Sequence, residues 1–290
     1  SFPLGIARRQ DPVKAYVTII EGCNDYCAFC VVPHTRGHER MRPKAEILAE
    51  VREAVQGGRA EIQLLGQIVN HYQAPDDPDC DFAALLAAVD AVPGIRRIRF
   101  ASPHPRHVTR RLIEAMRELP HVCRHLHLPV QSGSTRVLAA MRRRHTREEY
   151  LDLVRAVKDG VPGIQLSTDM IVGFPGETDE DFADTLSLVG AVGYHSMFSF
   201  KYSERPDTKA ARHMKDDVPD DVKTRRLNEI IALQNELSTI SKKADIEKTF
   251  EVLVEGTAKK PAGAMMGRTS GNKVVIFQAS GVDPGDYVHV

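Results

Sequence analysis

From Lys14 onward, short runs of aliphatic and β-branched residues alternate with longer stretches in which apolar positions recur every three or four residues. That alternation predicts repeated βα units around a parallel sheet. Strands are expected at 15–20, 61–65, 97–100, 125–129, 164–172 and 194–200. Between the first two, residues 44–55 set Ile47, Leu48, Val51 and Val55 on one helical face, with Pro43 where a first-turn proline is tolerated. Segments 82–89, 109–119, 147–157 and 180–189 read the same way, several opening with Asp, Thr or Glu near the first turn. A longer helix is expected over 218–243, where Leu227, Ile230, Ile231, Gln234 and Leu237 form a stripe that would pack across the barrel edge. After Ile246 the pattern changes to short strands separated by Gly and Pro turns, which predicts a small β-barrel. The fold class is therefore α/β, an open (β/α)6 partial barrel over 14–245 followed by a small all-β barrel over 246–290.

Composition narrows the picture little. The 290 residues carry 39 Lys plus Arg against 39 Asp plus Glu, so affinity for nucleic acid would have to come from local patches. No apolar run approaches the ~20 residues that span a bilayer, and no signal-peptide pattern opens the chain, so no membrane partner is expected and a cytosolic location is the default. Five cysteines is an odd number, and three of them crowd into positions 23–30, which suits a metal or redox site better than a disulfide framework. Cys80 and Cys123 stand alone and are expected to be buried free thiols.

The crowded segment reads Glu21-Gly-Cys-Asn-Asp-Tyr-Cys-Ala-Phe-Cys, a C-x3-C-x2-C spacing. Three thiolates can hold three irons of a cubane cluster and leave the fourth iron open to a cofactor or substrate. Zinc, with His34 or His38 as a fourth ligand, is the competing reading of these residues. In parallel βα folds ligands bind at the carboxyl ends of the strands, and the cysteine loop follows the first strand there. Gly173-Phe-Pro-Gly176 also follows a strand, but it lacks the spacing and the lysine of a P-loop, so a nucleoside triphosphatase is excluded.

The cysteine spacing, with an aromatic Phe29 before the last cysteine, resembles the signature of the radical S-adenosylmethionine (SAM) superfamily. Five further segments, in order, resemble the methylthiotransferases within it: Cys30-Val-Val-Pro-His-Thr-Arg-Gly, Leu64-Leu-Gly-Gln-Ile-Val-Asn-His-Tyr, His127-Leu-Pro-Val-Gln-Ser-Gly-Ser, Thr168-Asp-Met-Ile-Val-Gly-Phe-Pro-Gly-Glu-Thr and Lys201-Tyr-Ser-Glu-Arg-Pro-Asp-Thr. Val252-Leu-Val-Glu-Gly and Gly267-Arg-Thr resemble the RNA-binding TRAM module. The branch most similar is the MiaB type, which adds a methylthio group to N6-isopentenyladenosine beside the tRNA anticodon. Sibling branches act on threonylcarbamoyladenosine in tRNA or on a ribosomal-protein aspartate. Ile68 and Glu204 depart from that branch's usual Asn and Pro.

The resemblance implies a 4Fe–4S cluster on Cys23, Cys27 and Cys30, whose open iron binds SAM. Phe29, Gly66, Gln67, Gln131, Ser132 and Asp169 become candidates for contact with SAM or the target base, with no catalytic residue expected beyond the cluster and SAM. Lys259, Lys260, Arg268 and Lys273 become candidates for RNA contact on the terminal barrel. The arginine runs at 96–111 and 142–147 could contact phosphates. Implied partners are a tRNA anticodon stem-loop, a reducing electron donor and a sulfur source, and a monomer is expected. Full-length methylthiotransferases carry an amino-terminal domain with three more cysteines for a second, auxiliary 4Fe–4S cluster. Residues 1–13 read as the linker remnant of such a domain, so the chain is expected to be a truncation.

Overall fold

The computed structural model describes residues 11–290; most of the 1–13 leader therefore lies outside the described residues. Six parallel strands appear near their expected positions: β1 (Lys14–Thr18), β4 (Glu61–Leu65), β5 (Arg97–Phe100), β6 (His125–His127), β7 (Gln165–Val172) and β8 (Ser196–Lys201). They form two three-stranded parallel sheets, β1-β4-β5 and β6-β7-β8. The two meet where Ile98 bridges Val122, with Ile98 N–H donating to the His121 carbonyl at 2.7 Å and Cys123 N–H to the Ile98 carbonyl at 2.9 Å. The barrel is thus continuous but open, with β1 and β8 as its free edges.

Alternation along the strands gives the barrel its two surfaces. Ala15, Val17, Ile62, Leu64, Ile98, Leu126 and Leu166 are buried and pack into one core with helix residues Ile47, Val51, Leu85, Leu86, Val154, Val157 and Leu188. Gln63, Arg99, His125, His127 and Ser167 line an internal cleft instead. The core is therefore the layer between strands and helices, and the lumen mixes these polar side chains with aromatic ones such as Phe100 and Phe198.

The helices are α1 (Val32–Arg36), α2 (Lys44–Gln56), α3 (Phe82–Asp90), α4 (Arg110–Glu118), α5 (Thr135–Ala140), α6 (Arg147–Gly160), α7 (Asp179–Val192), α8 (Lys209–His213) and α9 (Asp220–Lys243). Capping residues in the sequence set several starts: Asp81 accepts from Ala84 N–H, and Thr146/Glu149 and Thr178/Asp181 form capping boxes. α9 runs along the free edge, where Ile230 is fully buried and Gln234 Nε2 donates to the Tyr194 carbonyl at 3.0 Å.

The last barrel strand begins at Ser196 rather than 194, and two strands end early for visible reasons. The 15–20 run breaks at Ile19, because Ile20–Glu21 (β2) leaves the barrel to pair with Arg40–Met41 (β3) across the cysteine loop. The 125–129 run leaves its ladder after His127, where Val130 N–H turns to the Thr168 hydroxyl at 3.0 Å. α1, α5 and α8 are one or two turns long, too short for apolar periodicity to register.

The chain ends in a four-stranded antiparallel sheet of order β11-β10-β9-β12, from β9 (Glu251–Thr257), β10 (Met265–Thr269), β11 (Val274–Phe277) and β12 (Tyr287–His289). It docks on the amino-terminal ends of the barrel strands. Arg97 Nη1 donates to the Arg268 carbonyl at 2.9 Å, Arg124 N–H to Ser270 Oγ at 3.0 Å, and Lys14 pairs with Glu255 at 2.6 Å. Arg96 lies over the Tyr287 ring at 3.9 Å. The sheet and the cysteine loop therefore occupy opposite ends of the barrel.

Candidate functional site

The loop after β1 is pinned from several sides. Gly22 has φ +75°, and a Cβ there would lie 2.2 Å from the His38 carbonyl oxygen, so only glycine lets β2 and the 37–38 backbone close together. Cys23 N–H donates to the Gly37 carbonyl at 3.2 Å, Cys30 N–H to the Cys27 carbonyl at 3.0 Å, and Ala28 N–H to the Met141 carbonyl at 2.9 Å. These bonds fix the loop that carries Cys23, Cys27 and Cys30, three half-buried free thiols. Among the described residues, no three His, Cys, Asp or Glu side chains close on a single ion position. Thiolates that each take a different iron of a cubane need no such convergence.

Burial pushes the Cys23 thiol up to about 11 and raises that of Cys30. Binding a metal there would displace the protons and supply the compensating positive charge. Arg143, itself buried, donates from Nη1 to Cys27 Sγ at 3.7 Å and from Nη2 to the Pro129 carbonyl at 2.6 Å. His38 is turned to Asn24 Oδ1 at 3.2 Å, whereas His34 lines a hollow with Cys27 and Cys30. Beside the loop, Asp25 accepts from Arg106 at 2.7 Å and faces His104 Nε2 at 3.6 Å. Burial, with Arg143 nearby, keeps His104 neutral far below the usual imidazole range. Cys80 and Cys123 are buried elsewhere in the fold, as expected.

Three of the six candidate cofactor residues share one pocket of about 290 Å³: Phe29, Gln131 and Asp169. Phe29 packs against the apolar cluster that includes Ala28, Phe174 and Tyr202. Gln131 is held at φ +78° by pairing with β7, its N–H donating to the Asp169 carbonyl at 3.0 Å. The other three lie outside that pocket. Ser132 is fully buried, its hydroxyl accepting from Ser134 N–H at 3.2 Å and lying 3.5 Å from the Thr185 hydroxyl. Gly66 sits in close packing, where an added Cβ would lie 3.1 Å from Ile20 and 3.2 Å from Val69, a tight contact. Gln67 Oε1 is buried without a hydrogen-bond partner among the described residues.

The basic residues separate into two kinds. Lys259 and Lys260 are exposed in the β9–β10 turn. Arg268 pairs with Glu255 at 3.3 Å and Lys273 with Asp245, both at the rim of the lumen cleft. Of the arginine runs, Arg97 and Arg99 are buried against the terminal sheet, Arg106 holds Asp25, Arg110 pairs with Glu114 and Arg111 with Asp81. Arg147 serves the Gly133 and Asp184 carbonyls. These arginines of the runs are engaged within the fold. What sequence reasoning missed is Arg143, whose contact with Cys27 links segments 116 residues apart.

The lumen cleft measures about 1110 Å³ and joins barrel wall and terminal sheet. Burial holds His125 and His195 in its wall neutral, at about 3 and about 4. Each folded-state value lies below the unfolded 6.5, so the stability these residues contribute is complete above pH 6.5 and is lost as pH falls toward 4. Each histidine adds at most about 1.4 kcal/mol per pH unit to that loss. Unfolding midpoints measured from pH 7 to pH 4 should fall, and His195→Gln should flatten the fall; an unchanged slope in the variant would contradict the assignment.

Residues 17–189 match the family model of the Radical SAM superfamily, and residues 228–290 that of the TRAM domain. The chain is 48% identical over 281 residues to the tRNA-2-methylthio-N(6)-dimethylallyladenosine synthase of Bacteroides fragilis, covering 96% of this chain and 61% of that protein. It is 49% identical over 280 residues to the protein of the same description from Porphyromonas gingivalis, covering 96% and 60%. The chain thus spans about three fifths of the length of these relatives. Coproporphyrinogen III oxidase of Escherichia coli, a radical SAM enzyme, shares the fold with a TM-score of 0.56 at 15% identity, covering 94% of this chain and 68% of that one.

Proposed function

The chain belongs to the radical SAM superfamily, and from that premise we propose that it is the radical-generating core of a tRNA methylthiotransferase, a transferase that adds a methylthio group to C2 of N6-isopentenyladenosine beside the anticodon. The observation that carries this reading is the cysteine loop: three half-buried thiols from one turn, at the carboxyl mouth of the barrel. The two relatives above, at 48% and 49% identity, support the substrate, and the TRAM match supports an RNA partner.

The donor set fits the cofactors the family implies. Cys23, Cys27 and Cys30 would hold a 4Fe–4S cluster through three thiolates. The two remaining cysteines belong to other parts of the fold, Cys80 to the core and Cys123 to the surroundings of Arg99 and Ser270. When bound, the cluster with SAM supplies a 5′-deoxyadenosyl radical through reductive cleavage of SAM. The chain's own residues do the rest of the holding. Arg143 offsets thiolate charge at Cys27, and Phe29 seals the loop against the apolar patch of Phe174 and Tyr202. Gln131 and Asp169 offer polar groups to SAM or the base, and Gln67 Oε1 is a buried acceptor still to be satisfied. An electron donor, a sulfur source, an auxiliary cluster in a longer protein and a cytoplasmic setting complete the proposal.

The test uses an anticodon stem-loop whose isopentenyladenosine is deuterated at C2, incubated anaerobically with the iron-reconstituted chain, SAM and dithionite. Mass spectrometry should find 5′-deoxyadenosine carrying deuterium. Release of 5′-deoxyadenosine without deuterium would move the reading to a different substrate; no release by protein with its iron in place would overturn it.

A further inference from the structure

The free edges of the barrel carry large aromatic side chains that the fold leaves uncovered. On β8, Phe198 is 58% and Phe200 53% exposed. In the parallel register Ser196, Phe198 and Phe200 stand beside Ser167, Asp169 and Ile171 of β7, so the six share one face. That face is the lumen, because Phe198 lines the large cleft with His127 and Ser167, and Phe200 lines the pocket of Phe29, Gln131 and Asp169. The two rings therefore connect the cleft to the candidate cofactor pocket. On the opposite free edge, Tyr16 of β1 is 49% exposed and in register with Gln63, another cleft residue.

Next to the rings runs a fixed polar row. His127 Nδ1 meets Ser167 Oγ at 2.9 Å, His127 Nε2 lies 3.4 Å from Asp169 Oδ1, and the His127 ring stands edge-on to Phe198 at 6.1 Å. An uncovered aromatic wall beside oriented donors and acceptors matches a flat heterocycle, which stacks on its face and hydrogen-bonds at its edge. Lys242 and Lys248, at the rim of the same cleft, suit the phosphates of a chain that delivers such a ring.

We propose that Phe198 and Phe200 form the stacking wall for the target base, selecting a purine with an apolar N6 substituent presented by RNA, while His127 and Asp169 engage its polar edge. This rests on the reading that the chain acts on a prenylated tRNA adenosine. The rings act as positioning residues, and because they are exposed their removal leaves the fold standing.

The experiment measures binding of two anticodon stem-loops by the reconstituted chain, one with isopentenyladenosine and one with unmodified adenosine. Phe198→Ala/Phe200→Ala should bind the prenylated stem-loop roughly tenfold or more weakly, and its preference over the unmodified one should shrink. Phe198→Tyr/Phe200→Tyr should keep both, and the thermal midpoint should not move in either variant. Unchanged affinity in the alanine variant overturns the proposal, as does a leucine pair that matches phenylalanine or a wild-type chain that binds neither stem-loop. Wild-type binding with no 5′-deoxyadenosine from SAM would instead overturn the radical reading and leave the stacking wall in place.

Discussion

Cys27→Ala should take the anaerobically reconstituted chain from about four irons to well below that number, and SAM cleavage should fall by roughly 100-fold or more. The middle cysteine is the most exacting of the three because it faces a fixed cation. Arg143 is 5% exposed, its Nε has no partner among the described residues, and its Nη2 is taken up by the Pro129 carbonyl. Removing the sulfur therefore deletes one iron ligand and also leaves a buried guanidinium short of negative charge. Iron content, the visible spectrum of the cluster and 5′-deoxyadenosine release measure the outcome together. Cys80→Ala and Cys123→Ala are the controls and should retain iron, since both thiols are buried in other parts of the fold. Full iron and normal cleavage in Cys27→Ala would dismiss the loop as the cluster site.

The barrel was legible because its strands are short apolar runs whose outward residues, such as Ile62, Leu64 and Ile98, pack on helices with equally regular stripes. The cysteine loop was legible because its ligands are neighbours in sequence. The lumen was not, since its residues come one or two from each strand and alternate with core positions. Asp169 could be named from its segment, but its 3.4 Å approach to His127 depends on the β6–β7 register. The arginine runs could not be sorted residue by residue for a related reason. Charge patterning cannot tell a solvated arginine from Arg97 or Arg99, which the chain buries against carbonyls 171 residues away.

Arg99 is accordingly where the largest loss of stability is expected. Its Nε donates to Glu61 Oε2 at 2.9 Å, Nη1 to the Ser270 carbonyl at 3.0 Å and Nη2 to the Thr269 carbonyl at 2.6 Å. Glu61 is 1% exposed, and its other oxygen has no partner among the described residues. Arg99→Ala would strand that carboxylate and leave the Ser270 carbonyl without its Arg99 donor at the junction of barrel and terminal sheet, while the Thr269 carbonyl keeps its bond from Asn272 N–H, a loss of about 3–5 kcal/mol. Lysine should rescue little, because a single ammonium cannot reproduce the three-way fork. Arg99→Met with Glu61→Leu should cost less than Arg99→Ala alone, since the cost lies in the unpaired charge rather than in the absence of the pair. Urea unfolding measures the free energies, and hydrogen exchange locates the loss. Amides of β10, whose Thr269 accepts from Arg99, should lose protection before those of β7, which lies in the other half of the barrel away from the lost contacts. A single Arg99→Ala variant within about 1 kcal/mol of the parent would mean that solvent reaches Glu61, and the terminal sheet would then be held by its other contacts, from Arg97, Arg124, the Lys14–Glu255 pair and the Tyr287 stack.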